Sequence, residues 1–480
     1  MVSETSGTSL AHSVTRALPI RTTTCLERKM KVQFLGATGT VTGSRYLVSH
    51  EENQILIDCG LFQGVKRLRE RNWEALAVTP SKLNAVVLTH AHLDHSGYLP
   101  RLVKAGFKGP IYCSAATREL VKILLLDSGN LQEADAERAN RYGYSKHRPA
   151  LPLYTAQDAE DVFPLLEAKP FHESFRVGRL AISLKPVGHI LGASSIRISA
   201  AGRSLTFTGD VGRPHDPIMK APEPLDETDF LVIESTYGDR LHEQADTSEQ
   251  LAEIARATLS RGGTLMIPAF AVGRAQSMMH LLASLQKKHE IPRAQIFLDS
   301  PMAIDVSDIF CDHAAEHRLS NLQCREMCQA VNYVRDVEGS KKLSQDPRPK
   351  IIIAGAGMLS GGRILHHLLA FGGDHRNTLL LAGYQAEGTR GRALLDGKKT
   401  LRIYGQDANI NCHTEVLHGL SGHADYQELG NWLSSLPRAP SRVFVTHGEQ
   451  GASASFQQYL RAKFGWNVEL PEDQGELTLF

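Results

Sequence analysis

Three imidazoles and a carboxylate lie within six residues in the run His90-Ala91-His92-Leu93-Asp94-His95. Upstream, Leu83-Asn84-Ala85-Val86-Val87-Leu88-Thr89 has the apolar, β-branched character of a buried strand. Downstream, Ser96-Gly97-Tyr98-Leu99 turns towards a helix. Polar groups at a strand-to-helix turn are costly to bury unpaired, and imidazole and carboxylate are the ordinary ligands of divalent transition metals. His90 and His92 can serve one ion, and Asp94 and His95 a second. A solvated histidine-rich loop is the plain alternative, and the buried strand leading into the run argues against it. A two-metal centre is expected.

Further residues extend this centre. Asp58 closes the apolar strand Gln54-Ile55-Leu56-Ile57; a carboxylate there commonly caps a turn, but it is also placed to orient a metal-bound histidine from behind. His189 stands in the Gly-flanked turn Val187-Gly188-His189-Ile190-Leu191-Gly192, and Asp210 in the tight turn Thr208-Gly209-Asp210-Val211-Gly212. With His90, His92, His189 and Asp210 on one ion, Asp94, His95 and a shared Asp210 leave the second one ligand short. His447, at the end of Arg442-Val443-Phe444-Val445-Thr446, supplies it. Glu234 likewise ends an apolar strand, Asp229-Phe230-Leu231-Val232-Ile233, and His423 lies in the polar turn Gly419-Leu420-Ser421-Gly422-His423-Ala424-Asp425. Two Gly-containing turns, one leading to Arg274 and one through Ser360 to Arg363, suit phosphate oxygens through backbone N–H groups, helix dipoles and guanidinium forks. No Walker pattern accompanies them, so nucleoside triphosphate binding is not expected.

The elements that must position these groups follow from the wider pattern. A chain of 480 residues exceeds one ordinary domain, and 42% hydrophobic with 22% charged residues is a globular composition. A net charge of +1 excludes a broadly basic coat, so any polyanion must meet a local patch. Seven cysteines without CxxC pairs give no disulfide framework; Cys324 and Cys328 read as packing, and a reducing cytoplasm is expected. No apolar run approaches the roughly 18 residues of a membrane span. Residues 1–29, rich in Ser and Thr with Arg16, Arg21, Arg28 and Lys29, read as a disordered extension rather than a transit peptide. Residues around 115–150 read as a charged helical stretch without assignable chemistry. Between about 240 and 412, Thr264–Pro268, Gln295–Asp299, Lys350–Ala354 and Thr378–Ala382 alternate with helical stretches as parallel strands of a doubly wound domain.

Taken in order, these residues resemble the metallo-β-lactamase superfamily, and within it the β-CASP nucleases, which include the endonuclease subunit of pre-mRNA 3′-end processing and bacterial and archaeal relatives. The superfamily motifs match at Asp58, at His90 to His95 with the full HxHxDH pattern, at His189 and at Asp210; the β-CASP motifs match at Glu234, His423 and His447. The match runs from Met30 to the C-terminus, without the KH modules of archaeal members. The resemblance implies an αββα sandwich built from residues 30–238 and 413–480, with a β-CASP domain, 239–412, inserted between. It implies two Zn²⁺ ions per chain, with Mn²⁺ an open alternative, and single-stranded RNA entering the cleft between the domains. RNA-processing members carry histidine where His447 stands, whereas cross-link repair branches carry valine. Asp94 counts both as ligand and among the catalytic residues, His423 is the expected general acid with Glu234 behind it, and Arg274, Ser360 and Ser421 are expected to grip phosphates. Products would carry 3′-hydroxyl and 5′-phosphate ends, and homodimers occur in the family. The rival readings are a DNA nuclease of the same branch, a small-molecule metallo-hydrolase and an inactive scaffold; the last is marked elsewhere by missing ligands, all of which are filled here.

Overall fold

The computed structural model of the chain describes residues 1–4, 7, 29–143, 145–243, 246–383, 385–386 and 388–480. Most of the expected N-terminal extension, residues 5–6 and 8–28, lies outside them.

Two seven-stranded sheets face each other. The first runs Glu476–Thr478, Met30–Phe34, Tyr46–His50, Asn53–Ile57, Ala85–Val87, Ile111–Cys113, Leu166–Ala168; the second runs Val468–Glu469, Arg442–Val445, Phe230–Ile233, Arg203–Phe207, Ser194–Ala200, Leu180–Pro186, Ser174–Val177. Side chains alternate across each strand, and that alternation builds three layers of core. Ile55 and Ile57 point into the space between the sheets with Phe34, Phe207, Phe230 and Phe444. Leu56 points the other way, against Leu99, Leu102, Leu120 and Leu124 of the outer helices. In the second sheet Phe230 and Val232 face inwards, while Leu231 and Ile233 meet Leu429, Phe456 and Leu460 of helices Tyr426–Leu433 and Gln450–Phe464. Helices outside two facing sheets make the αββα sandwich.

The chain leaves this sandwich after Ile233, returns with helix Tyr426–Leu433 and rejoins the sheet at Arg442. Strand Arg442–Val445 pairs in parallel with Phe230–Ile233, and Glu476–Thr478 pairs antiparallel with Met30–Phe34. The last residues therefore complete both sheets. Between lies a six-stranded parallel sheet in the order Val331–Tyr333, Gln295–Asp299, Lys350–Ala354, Thr264–Pro268, Thr378–Ala382, His413–Leu417. His413–Leu417, just beyond the boundary expected at residue 412, is an edge strand of the inserted sheet. A separate hairpin, Thr400–Ile403 with Gln406–Asn409, packs on this domain through buried Leu401 and Ile403. The 28-residue helix Ala115–Tyr142, N-capped by the Ser114 side chain, spans the charged stretch that carried no chemistry in the sequence. It packs against helix Pro301–Asp312 of the inserted domain, so the two domains are bridged. No helix among the described residues is long and apolar enough to cross a membrane.

Candidate active site

Every strand that contributes to the site ends at the same edge of the sandwich. Thr89 to His92 follow Ala85–Val87, Asp58 follows Asn53–Ile57, Asp210 follows Arg203–Phe207, Glu234 follows Phe230–Ile233, and His447 follows Arg442–Val445. Two of these residues turn sharply: Asp58 has φ 56° and His447 φ 48°, left-handed conformations that side-chain-bearing residues rarely adopt and that cluster at functional sites. Gly60 shows why the turn after Asp58 tolerates no side chain. A Cβ there would lie 1.6 Å from the Asp94 carbonyl oxygen. The loop carrying Asp58 is thus packed directly onto the loop carrying Asp94 and His95.

The metal-ligand candidates gather into two groups of converging donor atoms, His90, His92, His189 and Asp210 in one and Asp94, His95 and His447 in the other. Within the first, His92 Nδ1 lies 3.2 Å from both His90 Nε2 and His189 Nε2. Within the second, His95 Nε2 lies 3.2 Å from His447 Nε2, and His447 Nε2 is 3.5 Å from Asp94 Oδ2. Asp210 lies between them, with Oδ2 3.5 Å from His90 Nε2 and Oδ1 3.3 Å from His95 Nε2 and 3.4 Å from His447 Nδ1. Its Oδ1 is buried and makes no hydrogen bond. Burial, reinforced by the neighbouring imidazoles, pushes His90, His92 and His189 down, leaving lone pairs available at neutral pH. Asp210 would be raised by burial, but the surrounding histidines outweigh it and hold the carboxyl ionised. Buried imidazole nitrogens aimed at one another across an ionised, unbonded carboxylate oxygen fit divalent cations, because only a cation satisfies all of these lone pairs at once.

Behind the ligands a further layer fixes their orientation. Asp58 Oδ2 accepts from His95 Nδ1 at 2.7 Å and from Thr89 Oγ1 at 2.8 Å, and Oδ1 accepts from the Thr89 amide at 2.7 Å. His189 Nδ1 donates to the Gly422 carbonyl at 2.8 Å. Thr236 Oγ1 lies 3.2 Å from His447 Nδ1. Beside the cluster, Glu234 Oε2 lies 3.0 Å from His423 Nδ1, and His423 Nε2 is 3.9 Å from Asp210 Oδ2. Burial would lower His423, but the Glu234 and Asp210 carboxylates outweigh it and push its pKa up to about 9. Two residues that the sequence did not single out support this arrangement. His242 Nε2 donates to the His423 carbonyl at 2.9 Å, and Arg213, three residues beyond Asp210, binds Glu428 and the Gly419 carbonyl, tying the loop that carries Asp210 to the loop that carries His423. Thr89, adjacent to His90, was available to sequence reasoning as a partner for Asp58; nothing in the sequence near His242 marks it.

Of the residues expected to grip phosphate, Ser421 accepts from the His423 amide at 3.1 Å. Arg274 begins the helix Arg274–Lys287, whose N-cap Gly273 lies against Ile190, next to His189. Its Nε is buried without a hydrogen-bond partner. Ser360 contacts Arg390 rather than any member of the cluster. All three line the one cleft, of about 3300 Å³, into which His92, Asp94, His189, Asp210, His423 and His447 also open.

This sandwich, its inserted domain and the ligand cluster correspond to matches with known proteins. Residues 38–258 match the metallo-beta-lactamase superfamily model, 275–394 the Beta-Casp domain, and 407–471 the Zn-dependent metallo-hydrolase RNA specificity domain. The chain belongs to the β-CASP branch of the metallo-β-lactamase superfamily, a class of metal-dependent hydrolases. Among its relatives is Ribonuclease TTHA0252 of Thermus thermophilus, 34% identical over 429 residues that cover 88% of this chain and 94% of the relative. Transcription termination factor FttA of Methanosarcina mazei is 31% identical over 462 residues, covering 90% of this chain and 69% of the relative. A crystal structure of a protein of unknown function from Enterococcus faecalis V583 shares the fold, with a TM-score of 0.53 at 16% identity, covering 94% of this chain and all of that one.

Proposed function

We propose that this chain is a di-zinc ribonuclease that hydrolyses phosphodiester bonds of single-stranded RNA and leaves 3′-hydroxyl and 5′-phosphate ends. The observation that carries the reading is the Glu234–His423 pair held beside the converging ligands, where the two domains enclose one cleft. A small-molecule hydrolase has no need of a second domain lining its site, nor of a charged imidazole beside its ligands. The ribonuclease name of the Thermus thermophilus relative supports RNA over DNA.

In this reading His90, His92, His189 and Asp210 would hold one Zn²⁺ ion and Asp94, His95 and His447 the other, with Asp210 within reach of both groups. When bound, the ions supply Lewis acidity to the scissile phosphate and lower the pKa of water towards neutrality. The protein's own share is orientation and proton transfer. Asp58 and the Gly422 carbonyl hold His95 and His189 so that the opposite nitrogen faces the cluster. The departing sugar 3′-oxygen is a strong base and needs a proton as the P–O bond breaks. His423 keeps Nδ1 on Glu234 and turns Nε2 towards the cluster; with its pKa near 9 it carries that proton at neutral pH. Arg274, Ser421 and Ser360, which all line the cleft, receive non-bridging phosphate oxygens.

The test uses single-stranded RNA labelled at both ends, beside DNA of the same sequence, with metal content measured. Wild type cleaves RNA; His423→Ala keeps its metal and loses at least about a hundredfold in rate, the usual share of a general acid; Asp210→Ala loses metal and activity together. Preferential DNA cleavage would reassign the substrate, and a His423→Ala protein that lost its metal would make His423 a ligand instead of the acid.

A further inference from the structure

Among the described residues the hairpin Thr400–Ile403 with Gln406–Asn409 pairs with no other strand, so it extends the sheet of neither domain. It turns through Tyr404-Gly405, with φ 48° and 81°. Two-residue turns with both central residues left-handed are usually built from Asn-Gly or Gly-Gly, because a bulky side chain resists positive φ. A tyrosine there is strained, and no core packing calls for it: the residue is 43% exposed and lines the cleft. His366 stacks on it, with ring centres 4.8 Å apart and planes inclined by 27°, and the phenol oxygen lies 3.1 Å from His366 Nε2. The pair is a flat surface held in place.

Charge surrounds this surface. Helix Ala115–Tyr142 of the other domain brings Arg138 to within 5.8 Å of the Tyr404 ring centre and, one turn further on, presents Tyr142 at 69% exposure. Arg390, Arg402 and Lys398 line the same stretch of cleft. Asp135 and Asp407, 3.4 and 4.0 Å from Arg138 and Arg402, offset two of these four cations. Tyr404, His366 and Arg138 contact one another, the Gly362 carbonyl and Asp135, none of them a metal-ligand candidate. Aromatic faces among guanidinium groups at the wall of a cleft suit a planar ligand with flanking negative charge.

We propose that Tyr404 and His366 form a stacking platform for one base of the single-stranded RNA, whose neighbouring phosphates meet Arg138, Arg390 and Arg402; the proposal rests on the ribonuclease reading above. Stacking on aromatic side chains accepts any base, but only one that is free of a duplex partner and its own stack. The platform therefore selects single-stranded RNA that reaches both the metal centre and the hairpin.

Tyr404→Asn tests it, because asparagine tolerates the left-handed turn while removing the ring. With the metal-loaded enzyme and a single-stranded oligoribonucleotide, KM rises about tenfold at unchanged kcat, within the range of one lost base stack. Tyr404→Trp restores KM. A fluorescent adenine analogue scanned along the RNA is quenched at one position by wild type and not by Tyr404→Asn. Hydrolysis of bis(p-nitrophenyl) phosphate, which carries no nucleobase for the platform, is the same in both. Unchanged KM and quenching in Tyr404→Asn overturn the platform and leave the ribonuclease standing. An equal loss on bis(p-nitrophenyl) phosphate overturns it as well, since Tyr404 would then act on the whole fold. A wild type that cleaves no RNA removes both readings.

Discussion

His423 faces opposing forces: burial favours its neutral form, and the carboxylates of Glu234 and Asp210 favour the charged one. The carboxylates win and raise His423 above the ordinary imidazole value. If His423 is the general acid, kcat/KM holds at neutral pH and falls on the alkaline side as His423 loses its proton. Glu234→Gln removes the strongest of the raising influences. The alkaline fall then moves towards neutrality, and the variant loses far more activity at pH 8 than at pH 6. A pH–rate profile measures this directly, and an alkaline limb unmoved in Glu234→Gln would take Glu234 out of that role. Asp58 acts on the ligands in a different way. Asp58→Asn keeps the shape but weakens the bond that fixes His95, so metal affinity should fall about ten- to a hundredfold while the fold persists. Competition with a chelator reads that change, and unchanged affinity would reduce Asp58 to a cap for Thr89. The residues legible in the sequence were those whose chemistry is rare at strand ends: histidine, aspartate and glutamate after apolar runs. Thr89, Thr236 and His242 escaped because hydroxyls and single histidines are common, and their partners come from distant segments.

At the scale of elements, the strands were readable wherever both faces are buried, as in Thr264–Pro268 and Thr378–Ala382, whose residues are all buried. His413–Leu417 lacks that signature because it is an edge strand, exposed at alternate positions; its polar sequence resembles a linker. The Thr400–Asn409 hairpin was missed for a related reason, since Tyr-Gly is a poor two-residue turn signal. The strand-to-loop junctions carry the site, and Gly60 shows how little latitude they have. Gly60→Ala forces a methyl group into the Asp94 carbonyl, which cannot retreat without moving His95. The expected cost is about 3 kcal/mol or more, in the range reserved for steric conflict in a packed interior. Metal content should fall with it. Thermal unfolding and metal analysis together check this, and a variant with wild-type stability and full metal would mean the two loops separate more easily than their packing indicates.

On the scale of the whole molecule, the ligands come from four separated parts of the chain: residues 90–95, His189, Asp210 and His447. The last of these follows strand Arg442–Val445, which returns to the sandwich only after the entire inserted domain. Closing so long an excursion costs chain entropy that grows slowly with length, and the parallel pairing of Arg442–Val445 with Phe230–Ile233 must offset it. Ions shared between His447 and the residues near position 90 would fasten the same junction. A ligand that binds only the folded state stabilises it by RT ln(1 + [L]/Kd), about 4 kcal/mol at a thousand times Kd. Stripping the protein with a chelator should therefore lower Tm, and limited proteolysis should then cut first between the inserted domain and residues 442–447. Restoring Zn²⁺ should reverse both in a concentration-dependent way. In His447→Ala the stabilisation by added zinc should be markedly smaller than in wild type, because the variant removes the one candidate ligand that lies beyond the insertion. Equal stabilisation of the two proteins would show that the return of the chain is held by the sheet alone.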